Sequence, residues 1–173
     1  MELYGTRQIS LPSLLLMVLG VFLLAGAIIH AMGHPLICEC GYIKLWHGGI
    51  DDPEVSQHFL DWYSYSHVIH GIMIYALISI IARGRPSIAL GLLIAVSCAA
   101  AWEIIENTPF IVERYARATM VREYAGDAVV NSAGDMLATI VGFLAAARLP
   151  VWSSVMLFFA ALFLPHDHIL ILW

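Results

Sequence analysis

The sequence predicts an all-α fold: a polytopic membrane protein with about five transmembrane helices and a short interfacial helix. Three observations carry this. The chain is 61% hydrophobic and 12% charged, about half the charge of a soluble domain of similar length. Five apolar stretches punctuate it, residues 11–32, 66–82, 87–107, 127–147 and 151–164. A spanning helix needs ~20 such residues, and four of the five supply them. No soluble domain, repeat or low-complexity linker interrupts the pattern, so residues 1–173 are read as a single transmembrane domain.

The first stretch follows Arg7. Its apolar run exceeds the ~7–15 residues of a signal-peptide core, and no small-residue cleavage pattern follows it, so it reads as a retained anchor. A long polar loop, 33–65, comes next. The second stretch opens on His67 and His70, and the third closes on Glu103, Glu106 and Asn107. Pro109 stops or kinks that helix. The segment at about 109–124 is expected as an interfacial helix with Thr108 as cap and Pro109 at its first position. Glu113 and Arg117 are spaced there as an i, i+4 pair. The fourth stretch opens on Asp127, Asn131 and Asp135. Gly134, Ala138 and Gly142 form a small-residue row that permits close helix contact, so this helix should be central. The fifth has 14 clean residues before Pro165, or 23 if it runs to Trp173.

Orientation follows from charge. With the N-terminus cytoplasmic, Arg7, Arg83, Arg85 and Arg148 lie inside, and Lys44, Arg114, Arg117 and Arg122 outside. The numbers tie, but short loops weigh most, and Arg83, Arg85 and Arg148 occupy tight turns. The long loop carries Glu39, Asp51, Asp52, Glu54 and Asp61 against Lys44 alone. The expectation is therefore a cytoplasmic N-terminus with the long loop outside. All eight histidines (His30, His34, His47, His58, His67, His70, His166 and His168) then fall on the outer side. No basic patch is dense enough to engage nucleic acid.

Seven polar groups recur at one depth: His67, His70, Glu103, Glu106, Asp127, Asn131 and Asp135. Each ionisable group buried in lipid costs roughly 2.5–3.5 kcal/mol on insertion scales, so the repetition points to a site. His67/His70 and Glu103/Glu106 are i, i+3 pairs on single helix faces. Four carboxylates cannot all stay ionised in a half-dry pocket; some are protonated, or a cation compensates. Two imidazoles with carboxylates suit zinc, manganese or iron, with His67, His70, Glu103, Asp127 and Asp135 as ligands. Glu103, Glu106 and Asp135 are the candidate catalytic groups, Glu106 as acid/base. Asn131, Arg114 and Arg117 are the candidate substrate anchors. A metal could activate water against an ester or phosphoester; without one, a Glu/Asp pair could perform acid–base chemistry.

Plainer readings stand beside these. Polar side chains glue transmembrane helices together, and His67 and Asp135 could simply pair while Asn131 bonds backbone. Asp127 alone reads as an ordinary helix cap. A disulfide within Cys38-Glu39-Cys40 would be strained by its one-residue spacer, so unpaired or partner-linked thiols, or a second metal site with His34 or His47, are equally expected there. Cys98 reads as core, and Trp62, Tyr63, Tyr65 and Trp173 as an interfacial aromatic belt.

The strings GHPLICECGYIKLWHG, SQHFLDWYSYSHVIHG, WEIIENTPFIVERY and GDAVVNSAGDMLA resemble an uncharacterised family of small Gram-negative inner-membrane proteins with no settled activity. The resemblance covers roughly His34 to Arg148. The chain departs from the family's usual Arg-Tyr-Arg at Arg114-Tyr115-Ala116-Arg117, and has Ala128 where Ser is common. The resemblance implies a multipass plasma-membrane protein and no more; a looser likeness to VanZ-like proteins transfers no function. Three readings follow. The first is a membrane-embedded, metal-dependent hydrolase or lipid-modifying enzyme with a lipid or lipid-linked substrate. The second is an accessory or assembly subunit with a membrane-complex partner. The third, a conducting element, is least favoured, because no polar residues continue into the inner halves of the helices.

Overall fold

The computed structural model describes residues 9–49, 52–83, 87–118 and 124–163. Arg7, Asp51, Arg85, Arg122, Pro165, His166, His168 and Trp173, which entered the reading of orientation, the outer histidines and the last span, lie outside the described residues. Six helices form: α1 (Leu11–Ala31), α2 (Ser64–Ile81), α3 (Ile88–Glu106), α4 (Pro109–Ala118), α5 (Val129–Arg148) and α6 (Val151–Phe163). No strand occurs among the described residues. The fold is all-α and polytopic: α1, α2, α3 and α5 are each long and apolar enough to cross a membrane, and α6 is a shorter apolar helix of 13 residues. The fifth span is thus present among the described residues only as this shorter piece.

Local chemistry sets the helix ends. Ser10 caps α1 by accepting from the Ser13 N–H, with Pro12 in the first turn; its missing N–H costs nothing there. Gly33, at φ 104°, turns the chain out of α1, where a side chain would be strained. Thr108 departs from its expected capping role. Its hydroxyl turns back to donate to the Ile105 carbonyl, while its backbone carbonyl accepts from Ile111 and Val112. α4 covers the first ten residues of the expected interfacial helix, and Tyr124 is non-helical.

The α5 start also differs from the cap reading. Ala128 is the N-cap and makes no side-chain bond, and Asp127 lies outside the helix with its carboxylate committed elsewhere. The loop replaces the missing cap. Pro35, Leu36 and Ser56 offer their carbonyls to the N–H groups of Val129, Val130 and Ala128, three of the donors a helix start leaves unmet.

α5 is central, as the small-residue row requires. Half of its apolar window is buried, against 11% for α1, and it meets α1, α2, α3 and α6. The closest pairing is with α2. A side chain at Gly71 would collide with the Thr139 and Phe143 backbone, and one at Gly142 with the Val68 carbonyl. Gly134 likewise faces the Phe59 carbonyl. Across the bundle, Ala25, Val96, Ala99, Ala100 and Met136 form the apolar core. Small residues at crossings suit bilayer packing, where van der Waals contact replaces the hydrophobic drive. Leu15, Leu16, Leu23, Leu77 and Ile80 face outward. So does Cys98, contrary to its core reading. It lies off the α3 arc that buries Gly91, Ala95, Ala99 and Glu103.

The loop between α1 and α2 is not loose. Lys44 and Phe59, and His47 and Leu60, are joined by backbone bonds. Cys38 and Cys40 are joined by a disulfide despite the short spacer, with Gly41 (φ 86°) completing the turn.

Candidate functional site

Two segments that run in the same direction, α2 and α5, and one antiparallel to them, α3, deliver their polar groups to one end of the bundle. The start of α2 supplies His67, the end of α3 supplies Glu103, and the second turn of α5 supplies Asp135. One ligand atom from each lies within 4.8 Å of the other two, and all three residues are buried. His67 sits between the acids. Its Nδ1 is 3.4 Å from Glu103 Oε1 and its Nε2 3.8 Å from Asp135 Oδ2. Asp135 Oδ1 accepts from the Ser64 hydroxyl at 2.6 Å. Glu103 is 1% exposed, yet neither of its oxygens, nor His67 Nδ1, has a hydrogen-bond partner among the described residues. The Ser132 hydroxyl is beside Glu103 without meeting hydrogen-bond geometry. Buried polar atoms are ordinarily satisfied, so these three atoms keep their capacity for a further partner.

A second carboxylate group adjoins the first. Glu103, Glu106 and Asp127 also bring ligand atoms within 4.8 Å of one another. Asp127 is held from two sides. Its Oδ1 accepts from the Tyr124 hydroxyl at 2.6 Å and its Oδ2 from Asn107 Nδ2 at 2.8 Å. The Asn107 Oδ1 in turn accepts from the Asp127 N–H at 2.7 Å. His34 donates from Nε2 to the Asn107 carbonyl at 2.9 Å, bracing the same corner.

Between the two groups is a cavity lined by Ser56, Tyr63, His67, Glu106, Tyr115, Tyr124, Asp127 and Asp135. It measures about 10 Å³ at the centres of water-sized spheres, room for about one water molecule. Its walls are acidic and phenolic. Burial raises the Asp127 carboxyl and pushes Asp61 up to about 6, with the Asp127 charge adding to the latter. Burial also raises the phenols of Tyr115 and Tyr124, keeping them neutral donors. No Lys or Arg among the described residues joins these acids. Lys44 pairs with Glu54 at 2.5 Å, Arg117 pairs with Glu113 at 2.8 Å, and Arg83, Arg114 and Arg148 are exposed.

The structure thus brings His67, Glu103, Glu106, Asp127 and Asp135 together. His70 stands one turn along α2, half-buried, its ring 5.4 Å from that of His67 and 5.7 Å from the Trp102 indole, outside both ligand groups. Asn131 is sealed behind the site, its Nδ2 donating to the His58 carbonyl at 2.8 Å, as the packing reading expected. Arg114 and Arg117 are exposed on α4 and do not line the cavity.

Asp61, Tyr63, Tyr115, Tyr124 and Ser56 were not singled out from sequence as site residues. Tyr63 was assigned to the interfacial belt, yet its hydroxyl meets that of Tyr115; Trp62 and Tyr65 instead stack on each other and meet Trp46 edge-on. Asp61 accepts from the N–H groups of Tyr63 and Ser56. Asp61 and Ser64, three residues apart at a helix start, gave a local cue to a capping turn, but nothing local placed it against Asp127.

A third cluster, His47, Glu54 and His58, resembles a metal site in residue type but is complete without one. Lys44 Nζ donates to Glu54 and His47 Nδ1, His47 Nε2 donates to Asp52, and His58 donates from Nε2 to Glu54 while accepting at Nδ1 from the Lys44 N–H. Hydrogen bonds from His58, Lys44 and Tyr42 hold the Glu54 carboxyl down at about 2. An ammonium already fills the cation position.

The family model described as a protein of unknown function, DUF2585, matches residues 29–170. The chain is 50% identical over 141 residues to a UPF0314 protein of Rhizobium meliloti (strain 1021), covering 82% of this chain and 71% of that one. It is 48% identical over 135 residues to a UPF0314 protein of Paracoccus denitrificans, covering 78% and 69%. With a UPF0314 protein of Sphingopyxis alaskensis it shares 45% over 129 residues, covering 75% and 68%. No solved structure matches.

Proposed function

The chain belongs to the DUF2585 family, whose description leaves activity open, and from its own geometry we propose a metal-dependent hydrolase of the bacterial inner membrane. It acts on an ester or phosphoester of a lipid or lipid-linked substrate at the periplasmic surface. One observation carries the reading: His67, Glu103 and Asp135 converge in a buried site where, among the described residues, Glu103 and His67 Nδ1 lack hydrogen-bond partners and no Lys or Arg joins them. Imidazole with two carboxylates is a donor set for zinc, manganese or iron.

His67, Glu103 and Asp135 would hold the ion, and Ser64 orients Asp135 from behind, a second layer of support that metal sites depend on. The ion supplies Lewis acidity and a water of lowered pKa. Glu106 lines the cavity half-buried, placed to take a proton from a water in it. The water oxygen bonds to the acyl carbon or phosphorus, the bond to the leaving oxygen breaks, and Glu106 returns the proton to that oxygen. Tyr63 and Tyr115 line the cavity beside them.

A second reading is favoured by the narrowness of the cavity and by the Ser64–Asp135 and Asn131–His58 bonds. In it the polar cluster ties helices together in an accessory subunit. Elemental analysis of protein purified in detergent separates the two. The enzyme reading expects near-stoichiometric metal and hydrolysis of a dispersed phospholipid or ester, both lost in His67→Ala and Glu103→Gln with helicity retained. Metal-free protein that takes up no added zinc, manganese or iron, with these variants failing to fold, overturns it in favour of the accessory reading.

A further inference from the structure

We propose that Glu103, Glu106 and Asp127 hold a second divalent cation beside the first, with the Glu103 carboxylate shared between the two positions. This rests on the metal reading above and deepens it. Glu103 has two buried oxygens and neither is hydrogen-bonded. Its Oε1 faces His67, which leaves Oε2 for a second ion. Asp127 is already oriented as ligands are, by the Tyr124 hydroxyl and the Asn107 amide. Each of its oxygens keeps a lone pair after accepting one bond.

The cavity joins the two positions. Its wall includes His67 and Asp135 from one ligand group and Glu106 and Asp127 from the other, so one water in it is within reach of both. Charge favours the same count. Asp61, Glu103, Glu106, Asp127 and Asp135 can carry five negative charges with no Lys or Arg among the described residues to answer them. One divalent ion leaves three unanswered; two leave one. The second position offers only carboxylate oxygen, which suits manganese or magnesium better than softer ions. Paired ions clamp the attacking and leaving oxygens of an in-line displacement, which narrows the substrate class to a phosphoester. The water oxygen bonds to phosphorus, the phosphorus–oxygen bond to the lipid alcohol breaks, and the water's proton ends on that alcohol, carried by the Glu106 oxygen not offered to the ion.

The test uses the full chain in detergent, loaded with manganese alone and freed of excess ion. Metal per chain is measured together with the low-temperature electron paramagnetic resonance spectrum. Two ions per chain with an exchange-coupled spectrum are expected. Asp127→Asn and His67→Gln should each retain about one ion and lose the coupling, and Glu103→Gln should lose both ions. A single uncoupled ion in the unaltered chain refutes the second position while leaving the first. Two uncoupled ions, unchanged by Asp127→Asn, also refute it. No ion bound at millimolar manganese overturns both readings. The spectrum of the unaltered chain decides the matter even if a variant fails to fold.

Discussion

Asp61 belongs to a run, Asp61-Trp62-Tyr63-Ser64, whose pattern announces only the end of a loop and the start of α2. Folding nevertheless seals it beside Asp127 and lifts its carboxyl from 3.8 to about 6. The native chain therefore keeps a proton that the unfolded chain releases between those values. The stability this supplies is full below about pH 4 and is lost as pH rises through 6, an effect of about 1–3 kcal/mol. Asp127, also raised by burial, acts in the same direction. Metal-free protein in detergent should thus unfold at a lower temperature at pH 7 than at pH 4.5, and Asp61→Asn should shrink the difference. A flat profile for the unaltered chain would show these carboxyls to be solvated. Manganese or zinc should restore stability at pH 7, since an ion bound only by the native state adds its binding free energy.

At the scale of elements, the α2–α5 crossing depends on absent side chains. Gly71→Ala and Gly142→Ala each drive a Cβ into partner backbone, which cannot yield as a flexible side chain can. The cost should be roughly 1–3 kcal/mol, with the His67–Asp135 separation growing as the helices part. Gly20→Ala on α1 meets nothing within 4 Å and serves as control, being neutral or slightly stabilising through helix propensity. Denaturation in mixed detergent would read the difference, and equal behaviour of all three would contradict the close approach. The small-residue row Gly134, Ala138 and Gly142 was legible because its period matches one helix face. The α5 cap was not, because the loop carbonyls of Pro35, Leu36 and Ser56 replace a local signal with a long-range one.

For the molecule as a whole, the four spans and the gathering of His67, Glu103 and Asp135 could be read from hydropathy and periodicity, since alternating helices return to the same end. The loop resisted, because its fold rests on pairings such as Gln57 with Gly126 and Asn131 with His58 that no local pattern announces. A periplasm-active phosphatase fused after Gly48 should be active, and one fused after Arg83 inactive; the reverse would put the site in the cytoplasm. The glycine crossing also has a bearing on traffic. Where two backbones touch, no acyl tail can slip between, so α2 and α5 form a solid partition on one flank of the chamber. A lipid carrying a photoreactive tail should then leave the seam at Gly71 unmarked.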